Sequence, residues 1–404
     1  MFSTIMVFLA GIIALLVLVG KFRLSAFLGL LTAAMVIGVL SGLGPSDSLG
    51  AIQEGFSGTI LDIGLVIIFG TMLGKLLEAS GATTRISFAL INVVGKKLSS
   101  LGMAISGYII SIPVFSDAAF VMLSPLVRSV ARNAKQHRAV IGVSLASGLL
   151  ATNVFFPPTP GPLAAAALLD IDIGKVMIFG GILAIIYTVF GWGYAHFFLA
   201  RKPKEYFVYD NELPAAHEDD ELLGAGFEEQ EATVRGGNKQ PAAEGSQSPR
   251  EVGQLRELSA AAAFLPLAVP LFMILLNTLT TAFYAENSGI VEITSFIGDP
   301  TMALVIGVIV SALVYHKHID KGMSGIINSS LSDAGPIVFI VAAGGALAAI
   351  LRSSGVGESL ANSIVDTGMP FILVPFTIAA IIKLINGSGT TSLITTVTIC
   401  APPG

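Results

Sequence analysis

The sequence predicts an all-α polytopic membrane protein built from inverted repeats, and three observations carry that prediction. The chain is 53% hydrophobic and only 12% charged, about half the charged share usual for soluble domains, and its mean hydropathy is +0.82. Apolar runs near the span length of roughly 20 residues recur throughout. Two stretches alike in spacing, a shift of 274 apart, are each followed by a polar interruption.

In order, the runs are Ile5–Val19, Leu24–Leu43, Ile60–Leu77, Val140–Phe156, Val176–Leu199, Ala260–Leu279, Thr301–Tyr315 and Pro336–Leu351. Met1–Gly20 lacks a basic start and a polar cleavage region, so it reads as the first span and not as a cleavable signal peptide. The single cysteine, Cys400, excludes a disulfide framework and a cysteine-based metal site; no metal and no cofactor is expected. The net charge of −5 arises from one acidic segment and gives no reason to expect a nucleic-acid partner. That segment, Arg201–Glu257, is rich in Glu, Asp, Gly, Gln and Pro. It lacks the apolar surface to fold alone and is expected to be a mostly disordered linker. The chain therefore divides into a first membrane half (1–200), a linker (201–258) and a second membrane half (259–404).

Lys and Arg in short loops mark the cytoplasmic side. Lys21 and Arg23 between the first two spans place the N-terminus outside. A loop around Asp47 and Glu54, free of Lys and Arg, is then external. Lys75, Arg85, Lys96 and Lys97 fall inside, as do Arg128, Arg132, Lys135 and Arg138. A loop at Pro157–Lys175 is outside, and Arg201, Lys202 and Lys204 put the linker in the cytoplasm. The acidic loop Glu286–Asp299 is external, and His316, Lys317, His318 and Lys321 return inside.

Between the inside clusters Lys96/Lys97 and Arg128/Arg132 the chain enters the membrane and comes back to the same face. The entering arm, Leu98–Ile112, is short for a full crossing, which favours a re-entrant hairpin near 98–130. The second half repeats the arrangement. "GTMLGKLLEASGATTRIS" (Gly70–Ser87) aligns with "GGALAAILRSSGVGESLA" (Gly344–Ala361), and the same shift lays "PVFSDA" (Pro113–Ala118) on Gly387–Ser392 of "NGSGTTSLITT". A second hairpin is thus expected near 370–404. Ser80-Gly81 falls on the cytoplasmic side and Ser354-Gly355 on the external side, so the two units are inverted. Inverted repeats with helices broken at matching positions are the signature of a secondary transporter.

Non-helical backbone at membrane depth is tolerated where it faces protein or a watery cavity. At a break one half-helix ends in free carbonyls and the next begins with free N–H groups, a ready site for an anion. In the second tip Gly387 and Gly389 let the backbone approach a solute, Asn386 adjoins them, and Ser388, Thr390 and Thr391 supply hydroxyls. In the first, Ser116 and Asp117 begin the returning helix; capping alone would explain Ser116. An ionised carboxylate at depth costs about 2.5–3.5 kcal/mol even on lenient insertion scales, which assigns Asp117 a further task. Low dielectric favours the neutral acid, so Asp117 is expected to couple solute to a proton. The third break, Thr152-Asn153 through Pro162, carries four prolines that cannot continue a helix. Asn153 and Thr159 there are candidate solute contacts, or parts of a rigid external turn. The counterpart of this third break would lie past Gly404, so the second unit reads as truncated at its C-terminal end.

With these residues quoted, the chain resembles the gluconate permease (GntP-type) family of the ion transporter superfamily. "GKLLEASGATTRIS", "PVFSDAAFVMLSPLV", "FFPPTPGPLAAAALLDIDIGKV" and "NGSGTTSLITT" carry the resemblance, in order, over most of the chain outside the linker. It implies an elevator-type fold, a scaffold plus a transport domain bearing both hairpins, and a homodimer formed through the scaffold. It also implies proton symport of gluconate or a related hydroxy acid across the bacterial inner membrane, some relatives carrying D-serine. The sequence departs from the family's usual tip at Ser116, where Phe is common, and from its external motif at Thr159, where His is common. The partners expected are a small anionic hydroxy acid and the lipid bilayer. Sodium is the alternative coupling ion, with Asn153, Gly387 and Ser388 able to offer oxygen ligands. An intramembrane enzyme is not expected: His-Glu-x-x-His is absent, and His196, His316 and His318 sit at span ends. A channel is the remaining, more remote reading.

Overall fold

The apolar runs become helices in the computed structural model, which describes residues 2–202, 258–284, 288–319, 322–356, 373–386 and 389–400. From the N-terminus these are α1 (Phe2–Leu16), α2 (Ala26–Leu40) and α3 (Pro45–Ala79), followed by α4 (Ala82–Val94), α5 (Ser99–Ile110) and α6 (Ser116–Ala134). Next come α7 (Arg138–Phe155), α8 (Pro160–Leu168), α9 (Ile173–Gly193), α10 (Ala260–Phe283) and α11 (Gly289–Ile297). The last are α12 (Pro300–Tyr315), α13 (Met323–Ser353), α14 (Leu373–Asn386) and α15 (Gly389–Cys400). Among the described residues six helices are long and apolar enough to cross a membrane, or seven if the pair bent by 115° at Gly95 counts as one span. This is a multi-pass, all-helical membrane protein. The linker expected at 201–258 lies almost wholly outside the described residues.

Three stretches expected as loops contain helix. Asp47 and Glu54 belong to α3, because Pro45 opens the helix with a φ already suited to it and Asp47 lies in the first turn, where negative charge is favourable. Within Pro157–Lys175, Pro160 occupies the first turn of α8, the one helical position where its missing N–H costs nothing. Within Glu286–Asp299, Ser288 caps α11 by accepting from the Val291 N–H at 3.3 Å. In each, polarity that resembled a loop is a helix start.

The chain gathers into two compact units. The first takes Met1–Thr71, Pro157–Ile178 and Asn328–Gly404. Its core joins Leu30, Ala33 and Ile37 of α2 to Ala346, Leu347 and Ile350 of α13, all fully buried. Here α3 and α13 run antiparallel: Gly64 lies beside Val338, Thr59 against Gly345 and Gly55 against Ala349, so each step up one helix is a step down the other. A side chain on Gly345 would collide with the Thr59 hydroxyl and the Gly55 carbonyl, so the crossing depends on small residues. In the same unit α15 packs on α8, and the Thr398 hydroxyl donates to the Gly344 carbonyl at 3.4 Å.

The second unit takes Met72–Phe156 and Phe179–Ile327. Its tightest pair is α5 and α7, where Gly107 faces the Leu145 carbonyl and Gly148 the Ala104 carbonyl with no room for a Cβ at either. The Thr152 hydroxyl donates to the Tyr108 carbonyl at 2.8 Å across this pair. Trp192 Nε1–H donates to Ser100 Oγ at 3.2 Å, and Ser100 Oγ lies 3.3 Å from His196 Nδ1, tying the start of α5 to the end of α9. His196 also stacks on Trp192, so this histidine is a packed residue.

Matching local geometry recurs 274 positions apart. Gly81 (φ +71°) and Gly355 (φ +65°) both turn in the left-handed region that favours glycine. In each corner the preceding serine hydroxyl donates three residues back, Ser80 to Leu77 at 3.1 Å and Ser354 to Leu351 at 3.4 Å. The same hydroxyls accept from the N–H groups of Ala82 and Val356, each at 3.4 Å.

Candidate functional site

The first break lies in the second unit. α5 stops at Ile110, and Ser111 Oγ closes the turn by donating to the Val114 carbonyl at 3.2 Å. Gly74 of α3 admits the Pro113 carbonyl where any Cβ would collide with it. Phe115, in extended conformation, is the cap position of α6, without a side-chain cap bond. Ser116 is therefore the first helical residue and not the cap, because the chain enters its helical turn one residue later than a capping serine requires. Its hydroxyl, in a buried residue, donates to Asp117 Oδ1 at 3.5 Å, and Asp117 itself is exposed. The two stand in the first turn of α6, where N–H groups are free of helical partners and a negative charge is stabilised. Asn153, in the last turn of α7, is half-buried. Among the described residues no hydrogen bond joins it to Ser116 or Asp117.

The other predicted residues belong to the first unit. Thr159 is buried and takes the cap position of α8, its carbonyl accepting from the Leu163 N–H at 3.2 Å. Gly70 faces Pro158 with ordinary contact at 3.5 Å. The second break expected from the sequence lies outside the described residues, which resume on either side of it as α14 (Leu373–Asn386) and α15 (Gly389–Cys400). Gly387 and Ser388 lie outside the described residues, as do the side chains of Asn386, Thr390 and Thr391. Further along α15, Ser392, Thr395, Thr396 and Thr398 are all buried. Among the described residues the hydroxyls of Thr395 and Thr396 find no partner, a polarity that sequence reasoning passed over, since threonines in an apolar helix look like ordinary filling.

Sequence reasoning also missed a cavity of about 310 Å³ in the first unit. Glu54, Thr59 and Asp62 of α3 line it with Arg352 and Ser353 of α13, and the end of α8 supplies Ala167 and Leu168. Glu54, Gly58 and Asp62 recur every four residues and so share one face of α3; the bare glycine between the two acids leaves room for the cavity. That spacing was the available signal. It lay hidden because Asp62 sits inside an apolar run and Glu54 in what looked like a loop.

The comparisons with known proteins bear on what these features serve. The family model described as "GntP family permease" matches residues 3–227 and 231–403. An uncharacterized permease of Haemophilus influenzae is 33% identical over 401 residues, covering 98% of this chain and 77% of that protein. The high-affinity gluconate transporter of Escherichia coli is 27% identical, covering 97% of this chain and 82% of its own length. The D-serine transporter DsdX of Escherichia coli is 28% identical, with 98% and 81% covered. With the family model matching nearly the whole length and the helices apolar enough to span a bilayer, the chain belongs to the GntP permease family.

Proposed function

We propose that the protein is a secondary active transporter of the bacterial inner membrane that carries a small hydroxy-carboxylate, such as gluconate, together with a proton. The observation that carries this reading is the family match along nearly the whole chain, joined by a relative named as a gluconate transporter. Many alternating-access transporters are built from two similar halves of opposite topology. The local geometry supports that arrangement: α3 and α13 end in alike corners, and they cross antiparallel. Where they cross, a Cβ built on Gly64 would lie 3.8 Å from Val338, its own counterpart at a shift of 274. A residue touches its own counterpart only near a two-fold axis, which is what inverted repeats require.

In this reading both broken helices offer free N–H groups and hydroxyls to the solute, with Ser116, Asp117, Asn153 and Thr159 in the first half and residues 386–391 in the second. Asp117 takes the coupling proton. The scaffold carries a homodimer contact, and the transport domain moves across the bilayer. A relative named as a D-serine transporter makes an amino acid the second solute to try, and sodium the second coupling ion.

Reconstituted protein, given labelled gluconate or D-serine under a pH gradient alone and then a sodium gradient alone, tests the reading. Gluconate accumulation under the pH gradient alone is expected, with Asp117→Asn losing it at least tenfold. Accumulation that follows sodium only, or an Asp117→Asn carrier that still concentrates solute, would overturn the coupling assignment.

A further inference from the structure

The cavity between α3 and α13 holds charges that the transport reading has not used. Its lining brings two carboxylates, Glu54 and Asp62, and one guanidinium, Arg352, while α8 contributes only Ala167 and Leu168. Acid thus exceeds base by one, which disfavours an anionic solute and favours a cation or a proton. The antiparallel register separates the two acids. Gly55 lies at the level of Ala349 and Thr59 at that of Gly345, which carries Arg352 to the level of Glu54 and leaves Asp62 opposite Val341 and Ala342. Both of those are apolar and buried. Among the described residues, Asp62 is thus the cavity carboxylate farther along the helices from Arg352.

Its depth follows from length. Asp62 is the central residue of the 35-residue α3. At 1.5 Å per residue the helix is about 52 Å long, against a hydrocarbon layer about 30 Å thick. An upright helix of that length cannot span the layer without its centre lying inside it. An ionised, uncompensated carboxylate is costly there, and ionisable groups at depth face water-filled cavities and mark proton paths. The side chain is exposed to an open cavity, which gives protons access by way of water.

We infer that Asp62 is a second proton-binding carboxylate of the transport cycle, in addition to Asp117, with the cavity it lines as its water-filled access. The inference rests on the proton-coupled reading above and adds a residue and a route to it.

Two measurements test it. Dicyclohexylcarbodiimide adds to a protonated carboxyl in apolar surroundings and not to a carboxylate. Reconstituted protein is treated between pH 5 and pH 8, and the adduct is located by peptide mass spectrometry. An adduct on Asp62 whose yield falls severalfold as pH rises, with Glu54 unmodified, is the expected result. No adduct on Asp62 at any pH, or a yield that ignores pH, overturns the inference. This readout needs no transported solute, so it separates failure here from failure of the transport reading. In the second measurement, Asp62→Asn is expected to lose pH-driven gluconate accumulation at least tenfold more than it loses gluconate exchange, and Asp62→Glu to recover accumulation. Equal loss of both activities, or loss of neither, overturns the coupling role.

Discussion

The corner after α3 and the corner after α13 share a backbone and differ in charge. Each ends its helix with a serine that hydrogen-bonds forwards and backwards and a glycine near φ +70°. Two residues before the serine, the first has Glu78, held 3.8 Å from Lys75 on the same helix. At the matching place the second has Arg352, which lines a cavity with Glu54 and Asp62. The backbone device is duplicated because any helix that must stop and turn sharply needs a residue free to take the left-handed conformation. The charges are not duplicated, because each answers to its own surroundings: a neighbour one turn back in one corner, acids on another helix in the other. Similarity between the two halves therefore reports architecture, and the departures from it report chemistry.

The harshest way to break the comparison is to push α3 and α13 apart. Gly345→Leu would drive a side chain into the Thr59 hydroxyl and the Gly55 carbonyl. Backbone cannot step aside as a side chain can, so the cost should exceed the usual 1–3 kcal/mol of overpacking. Monodisperse protein in detergent size-exclusion should be lost. Gly335→Ala on the same helix meets nothing within 4 Å and should elute as wild type; equal profiles for the two variants would refute the crossing.

A milder change asks whether the corners are equivalent. Gly81→Ala and Gly355→Ala each force an L-residue into the left-handed region, at about 1–2 kcal/mol. The two should lower the apparent Tm by similar amounts. A large shift from one and none from the other would mean that only one corner bears on the stability of the fold.

These two tests reach features of unequal legibility in the sequence. The helical class and the corners were readable, because apolar runs and a Ser-Gly pair act through nearest neighbours. The first polar break was readable for the same reason: Pro113, Ser116 and Asp117 interrupt a helix wherever it lies, although which of them caps α6 depended on the dihedral angles of Phe115. The true length of α3 was not readable. Asp47 and Glu54 look like a loop until Pro45 is seen to start a helix. The cavity was less readable still, since pairing Asp62 with the neighbourhood of Arg352 depends on an antiparallel crossing of helices nearly three hundred residues apart. Local chemistry is written in order along the chain; a register between distant helices is written only in their packing.

The smallest expected effect closes the comparison at the charges themselves. Glu78→Gln removes one member of a partly exposed i, i+3 pair, and such pairs contribute about 0–1 kcal/mol. Its Tm and its pH-driven uptake should match wild type within error. Arg352→Gln, the same change in kind at the counterpart position, removes the single guanidinium from a cavity with two carboxylates. Nearby positive charge favours the ionised form of a carboxylate, and this change takes it away from the cavity. The pH at which uptake is half-maximal should move upward for Arg352→Gln and stay fixed for Glu78→Gln. If both variants moved it alike, the counterpart positions would share one electrostatic role, and the difference between the corners would carry no chemistry.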